Sequence, residues 1–243
     1  MVAAVIVAAG KGVRMQGPLR KQYLSLAGLP ILARTLLVFD GCDLVDDIFL
    51  VIPKDDFDFC RKKIISRLKR GRDIRLVAGG VRRQDSVYNG LQQLDPNCSL
   101  VVIHDGVRPF VQNDQIVASI KEARKIGACI LGVPAYDTLK QVDTRDFITL
   151  TLQRDAIWLA QTPQTFRCDL IKKAHERARE EGYIGTDDAS LVERLKEPVK
   201  IICGSRSNIK ITHKEDLAIA RRLLASDPFD NLMRPVDTRA SDS

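Results

Sequence analysis

Along this chain, short apolar runs alternate with longer stretches in which apolar residues recur every third or fourth position. The first run, Val5 to Ala8, reads as a buried strand. Pro30 to Phe39 has helical spacing with proline at its start. Ile48 to Ile52 is a strand, and Asp56 to Arg70 a helix with Phe57, Cys60, Ile64 and Leu68 on its inner face. Ile74 to Ala78 is a strand that stops at Gly79-Gly80, and Gln84 to Leu94 a short helix. Leu100 to His104 is the next strand. Asn113 is placed to cap a helix carrying Ile116 and Ile120, and Ala128 to Val133 follows as a strand. This alternation predicts an α/β fold: a Rossmann-like, mostly parallel sheet with helices on both faces.

The rhythm changes after Val133. Two β-prone segments, Thr138 to Val142 and Phe147 to Leu152, flank the turn residues Asp143 to Asp146, a hairpin pattern with no matching core face. It predicts an arm projecting from the sheet, which either packs on a second subunit or is a plain surface hairpin; the pattern does not separate the two. Helical spacing returns at Asp169 to Glu181. Thr186 is placed to cap Asp187 to Leu195, Val199 to Cys203 and Ile209 to Ile211 read as short strands, and Thr212 to Glu215 has capping-box spacing before a last helix. No repeat or linker divides the chain. The expectation is one domain over residues 1–227, with the arm at about 136–160 and a loose polar tail over 228–243.

The first strand breaks at Ala9-Gly10-Lys11-Gly12, where small residues let backbone approach a ligand, and Arg14, Arg20 and Lys21 follow at once. A strand, a glycine turn and clustered cations make a cradle for a polyphosphate. The loop is neither a Walker A sequence, whose spacing it lacks, nor a dinucleotide fingerprint, because Met15 stands where a third glycine is needed. Ligands of open parallel sheets bind beyond the carboxyl ends of the strands. Three further strand ends carry polar chemistry: Gly79-Gly80 with Arg82 to Ser86, His104-Asp105-Gly106-Val107-Arg108, and Asn208-Ile209-Lys210. Asp105 is either a turn cap or a carboxylate for a sugar hydroxyl or a metal. Lys210, between two isoleucines, is either a charge guarding a sheet edge or a ligand for an anion.

Composition narrows the partners. A net charge of +7 with 28% charged residues suits an anionic substrate or a solvated basic face. Aromatics are only 5% of residues and none interrupts the basic run from Arg61 to Arg75, so no stacking platform for nucleic acid is expected. No apolar run is long enough for a membrane span and no basic leader precedes the first strand, so the chain reads as cytoplasmic and independent of membranes. The six cysteines are scattered without a CxxC and the three histidines lie far apart, which predicts reduced thiols and no structural metal site.

The segments AAGKGVRM with KQY, GG with RQDSV, HDGVRP, DTLK, RDAIW with TPQ, TDDAS and NIKIT occur in that order between Val2 and Ala225. Together they resemble the 2-C-methyl-D-erythritol 4-phosphate cytidylyltransferase family, of the nucleotide-diphospho-sugar transferase type. The resemblance implies a CTP-dependent enzyme that joins a cytidylyl group to a polyol phosphate and releases pyrophosphate, in non-mevalonate isoprenoid precursor biosynthesis, with Mg²⁺ on the triphosphate. It implies CTP binding by Ala8, Ala9, Gly10, Gly12, Gly80, Ser86, Asp105 and Gly106. Arg14, Lys21, Arg154 and Lys210 are implied as the catalytic cations. Asp105, Arg108, Thr138, Arg154, Thr162, Thr186 and Lys210 fall on the acceptor side. It also implies a homodimer clasped by the arm, with Arg154 serving either its own site or the partner's. Where the family often has an acid, this chain has Val81 and Arg82, neither of them acidic; Gly106-Val107 replaces a pair of alanines. A ribitol-5-phosphate cytidylyltransferase and a non-catalytic nucleotide binder are the alternatives.

Overall fold

The computed structural model describes residues 1–10, 19–68 and 73–225. Gly12, Arg14 and the expected tail lie outside the described residues. The strands are β1 (Val2–Val7), β2 (Ser25–Leu26), β3 (Leu29–Pro30), β4 (Asp47–Ile52), β5 (Ile74–Ala78), β6 (Leu100–Asp105), β7 (Ala128–Pro134), β8 (Lys140–Val142), β9 (Ile148–Thr151), β10 (Trp158–Arg167) and β11 (Lys200–Cys203). The helices are α1 (Ile31–Asp40), α2 (Phe57–Lys63), α3 (Arg83–Leu91), α4 (Asn113–Ile126), α5 (Cys168–Glu180), α6 (Asp188–Arg194) and α7 (Lys214–Ala225). The main sheet runs β11-β7-β10-β6-β1-β4-β5. Its pairs are parallel except those of β10, which lies antiparallel between β6 and β7.

Alternation along β1 sets the two layers. Ala4 and Ile6 face a core shared with α1, α2 and α4, including Leu36, Phe39, Ile64 and Ile120. Ala3 and Val5 face a second core with α3, α5 and α6, including Val87, Ile171 and Val192. All six residues of β1 are buried, as expected for a strand covered on both faces. A smaller cluster ties α7 to the start of α1 through Leu26, Ile31, Phe110, Ile211 and Leu224.

Several local readings need correction. The basic helix ends at Lys63 and passes into a tight turn over Ile65–Arg67. Asn113 is the first residue of α4, not its cap, because Gln112 takes the extended N-cap conformation. Asp187, not Thr186, caps α6, its carboxylate accepting the Ser190 N–H. Ile209 to Ile211 is not a strand; it is a connection held by an Ile211 N–H bond to the Val107 carbonyl. The acid that receives Thr212 before α7 is Asp216, one residue beyond the expected Glu215. The hairpin stands as expected: β8 and β9 pair around Asp143–Asp146 with every strand residue exposed. No described helix is long and apolar enough to cross a membrane.

β10 was not expected at all, and its inner half is central to packing. Phe166 is fully buried against the second core. Replacing Phe166 with alanine should lower the unfolding free energy by about 3–5 kcal/mol. Urea denaturation with an unchanged m-value checks this; a loss below about 1 kcal/mol would contradict the packing described.

Candidate active site

The sheet order reverses at β1, with β4 on one side and β6 on the other, so a crevice opens beyond their carboxyl ends. The backbone can close there because side chains are absent. A Cβ on Gly79 would lie 2.2 Å from the Ala9 Cβ, and one on Gly106 would lie 2.9 Å from the Ala8 Cβ. The result is a cleft of about 710 Å³, the size of a small-ligand site. Ala8, Ala9, Gly10, Lys21, Gly80, Ser86, Asp105 and Lys210 line it.

Local bonds fix these residues. The Ala8 N–H donates to the Val51 carbonyl at 2.8 Å, and the Gln22 side-chain amide donates to the Ala8 carbonyl at 2.8 Å, which seats the Lys21 segment against the end of β1. Next along, the Tyr23 hydroxyl and Arg20 Nε each meet Asp56 Oδ2 at 2.9 Å. On the opposite wall the Ser86 hydroxyl accepts the Gly80 N–H and donates to the Arg82 carbonyl, both at 3.0 Å, so it holds the Gly79-Gly80 turn in shape.

Charge gathers on Asp105, a residue only 6% exposed. Its Oδ1 meets Arg83 Nε at 2.9 Å, its Oδ2 meets Lys210 Nζ at 2.8 Å, and Arg108 Nε stands 3.8 Å from Oδ2. Burial alone would raise the pKa of Asp105; Arg83 and then Lys210 outweigh it and hold the carboxyl well below the usual carboxylate range. Arg83 also donates to Asp188 Oδ2 at 2.8 Å, and the fully buried His175 contacts the other Asp188 oxygen at 3.2 Å. Burial works against the Arg83 charge, yet Asp188 and Asp105 raise its pKa. Removing one member of such a set strands a buried charge, at a cost of about 3–5 kcal/mol.

A neutral network orients the Asp105 backbone. The Asp105 N–H donates to Thr162 Oγ1 at 3.1 Å, and Thr162 Oγ1 lies 3.0 Å from His104 Nδ1. His104 Nε2 lies 3.1 Å from the Arg108 carbonyl, which can only accept. Nε2 therefore carries the proton, Nδ1 accepts from the Thr162 hydroxyl, and that hydroxyl accepts from Asp105. A second proton on the ring would take the lone pair that Nδ1 offers to the Thr162 hydroxyl and leave that O–H without its acceptor. Burial first of all pushes the His104 pKa down, to about 4.

The 2-C-methyl-D-erythritol 4-phosphate cytidylyltransferase family model matches residues 2–226. An enzyme of that name from Geobacter metallireducens is 47% identical over 226 residues, covering 92% of this chain and 97% of the relative. One from Pelotomaculum thermopropionicum is 45% identical over 223 residues, covering 92% of this chain and 94% of the relative. The crystal structure of 4-diphosphocytidyl-2C-methyl-D-erythritol synthase from Anaerococcus prevotii superposes with a TM-score of 0.83 at 36% identity, covering 92% of this chain and 96% of that one. The chain belongs to the 2-C-methyl-D-erythritol 4-phosphate cytidylyltransferase family.

The residues the family resemblance singles out fall into four groups, beside two that lie outside the described residues. Ala8, Ala9, Gly10, Gly80, Ser86, Lys21, Asp105 and Lys210 share the cleft, with Gly106 beneath it, while Gly12 and Arg14 lie outside the described residues. Arg108 and Lys210 line an adjoining cavity of about 430 Å³, together with Tyr136, Gln161 and Asn208. Thr162 is buried and serves the Asp105 backbone. Thr138, Arg154 and Thr186 are exposed and line neither cavity; Arg154 donates to the Tyr136 carbonyl at 2.7 Å near the base of the arm. Sequence reasoning did not assign Arg83, Asp188 or His175. The signal was present in the second Asp of TDDAS and in the arginine beside Arg82, but buried charges read as surface charges until their partners are known.

The His104 network makes stability depend on pH. A pKa depressed from the usual 6.5 to about 4 means that the unfolded chain takes up a proton that the fold refuses as pH falls through that window. The contribution is full above pH 6.5 and lost toward pH 4. Between pH 7 and pH 5 the wild type should lose about 2 kcal/mol from this group, and a His104→Gln variant should lack that slope. Urea unfolding at the two pH values reads the difference; equal slopes in both proteins would contradict the neutral tautomer.

Proposed function

We propose that this protein transfers the cytidylyl group of CTP to 2-C-methyl-D-erythritol 4-phosphate, giving 4-diphosphocytidyl-2-C-methyl-D-erythritol and pyrophosphate, as a step toward isoprenoid precursors. The observation that carries the reading is the meeting of Lys21, Arg83 and Lys210 in one cleft with Ala9 and Gly10, in a chain of this family. An acceptor phosphate oxygen attacks the α-phosphorus of CTP as the bond to the β-phosphate oxygen breaks. The acceptor is already an anion, so no general base is needed. Two unit charges at about 4 Å repel by about 4 kcal/mol at an effective dielectric near 20, and these reactants carry several charges each. Lys21, Lys210 and, by resemblance, Arg14 offset that repulsion and the charge on the five-coordinate phosphorus. Asp105 is not a base here: both of its oxygens meet cations, and its part is to aim Arg83 and Lys210.

No cluster of three metal-ligating side chains occurs among the described residues, and the Asp105 oxygens already face cations. By the family resemblance, a divalent ion such as Mg²⁺ would be held by the triphosphate oxygens and would supply further charge neutralisation. Ala8, Ala9 and Gly10 with the Gly80–Ser86 wall receive the nucleotide. The adjoining cavity receives the polyol phosphate: Arg108 and Lys210 suit its anionic end, and Val133, Ala135 and Leu159 offer an apolar wall for its methyl group. Residues 1–227 act as one nucleotidyltransferase domain.

The arm supports a homodimer. Tyr136, Phe147, Ile148, Leu150 and Leu159 are each more than half exposed on or beside it, an apolar surface that invites a partner. Arg154 and Thr138, outside both cavities of their own chain, then complete the acceptor site of the second subunit.

Pyrophosphate release with CTP, Mg²⁺ and either methylerythritol phosphate or ribitol 5-phosphate tests the substrate; turnover confined to ribitol phosphate would overturn the reading. Lys21→Ala should cut kcat by about 10²-fold with a smaller change in acceptor KM; a defect mainly in acceptor KM would contradict the role given. Mixing Lys21→Ala with Arg154→Ala, under conditions of subunit exchange, should restore activity that neither variant has alone. No restoration would place Arg154 in its own subunit's site.

A further inference from the structure

Cys98 and Cys168 sit at the end of the sheet opposite the cleft. Cys98 precedes β6 and Cys168 opens α5 directly after β10, and the pairing of Leu100 with Arg167 brings the two positions together. The backbone on each side is fixed: the Cys98 N–H donates to the Asp95 carbonyl at 2.9 Å and the Cys168 N–H to the Ser99 carbonyl at 3.0 Å. Both are free thiols, 7% and 5% exposed, and their Sγ atoms lie 2.8 Å apart across 70 residues of chain. A disulfide has a bond of about 2.0 Å, so closure needs an approach of only about 0.8 Å.

The pair is also chemically asymmetric and reachable. The Cys168 thiol donates to Cys98, which lowers the Cys98 pKa against the opposing effect of burial, and the chain's amino terminus and Lys172 add positive charge nearby. The same bond, with burial behind it, raises Cys168 far above the thiol range. By contrast, burial pushes Cys60 up to about 11 and Cys129 up to about 12. Cys98, but not Cys168, lines a cavity of about 420 Å³ together with Arg124, Arg167 and Asp169. The Cys98 thiol also donates to the Leu100 carbonyl at 3.2 Å. A small oxidant that enters this cavity meets Cys98 before Cys168.

We propose that Cys98 and Cys168 form a redox-active pair that closes to a disulfide when the protein meets hydrogen peroxide. The Cys98 thiolate attacks one oxygen of the O–O bond; the other oxygen leaves as hydroxide and takes a proton to become water, and Cys98 becomes a sulfenic acid. The Cys168 sulfur then attacks the Cys98 sulfur. Hydroxide leaves, accepts the Cys168 proton and gives a second water. Two thiols have lost two electrons to the peroxide. The bond joins the start of β6 to the start of α5, at the opposite end of the sheet from Asp105 and Lys210.

The test uses the full-length wild-type protein treated with hydrogen peroxide, then denatured with N-ethylmaleimide and digested without reductant. Mass spectrometry should find a peptide pair joining Cys98 to Cys168, two hydrogens lighter than the sum of its parts and released by dithiothreitol, with Cys60 and Cys129 carrying maleimide. Maleimide on both Cys98 and Cys168, or separate oxidation of each to a sulfinic acid, would overturn the proposal. In a Cys98→Ser variant Cys168 should remain a maleimide-reactive thiol; its oxidation at the wild-type rate would overturn the assignment of Cys98 as the attacking sulfur.

Discussion

A carboxylate at the end of the central strand β6, removed from water and surrounded by three cations, is the constraint from which the rest of the site follows. Asp105 can be ionised at that depth only because Arg83, Lys210 and Arg108 stand around it. The dependence runs both ways. Three cations within reach of one another would repel, and the carboxylate lets them share a small volume. The pieces come from far apart in sequence: the start of α3, the end of β6, and the connection between β11 and α7. The ion set is therefore a tertiary lock as well as a charge reservoir. Arg83, Asp105 and Lys210 of this set line the same cleft as Lys21.

The fold serves that node by rigid placement. Strand β10 lies between β6 and β7, and its polar stretch supports the site from within the sheet. Thr162 orients the Asp105 backbone, Gln161 donates to the Ser205 carbonyl, and Gln164 bonds Asp187 while accepting from the first turn of α6. Asn208, fully buried, donates to the Thr162 carbonyl and offers its own carbonyl to Arg108. The Gln161 and Asn208 contacts tie the loop carrying Lys210 to β10, and the Gln164 contacts tie the helix carrying Asp188 to it. Positions so fixed act without reorganising when charge develops, which is what electrostatic catalysis needs.

Much of this was legible in the sequence. Apolar runs marked the parallel strands because both of their faces are covered, and the glycine turn and the HDGVRP segment announced chemistry at strand ends. The hairpin was visible because its turn residues separate β-prone segments. Strand β10 was not visible, for a physical reason: Gln161, Thr162, Pro163, Gln164 and Thr165 interrupt the apolar signature of a strand that is nonetheless buried. Their polar groups find partners across the fold, as Thr165 does with Ser119 at 2.9 Å, and such partners cannot be read locally. Arg83 and Asp188 escaped notice likewise. A salt bridge between a half-buried Arg83 and a buried Asp188, 105 positions apart, has no periodicity. Caps were misplaced by one residue at α4 and α6, where neighbouring polar residues compete for the same backbone groups.

The account stands on Asp105 being held as an anion by its neighbours. Carbon-13 NMR of the aspartate carboxyl groups, with the Asp105 signal assigned by its loss in Asp105→Asn, measures this directly across an acid titration of the folded protein. Its signal should remain that of the ionised group throughout the ordinary carboxylate range, while exposed aspartates titrate near pH 3.9. An Asp105 midpoint at or above that value would contradict the charge-locked cleft.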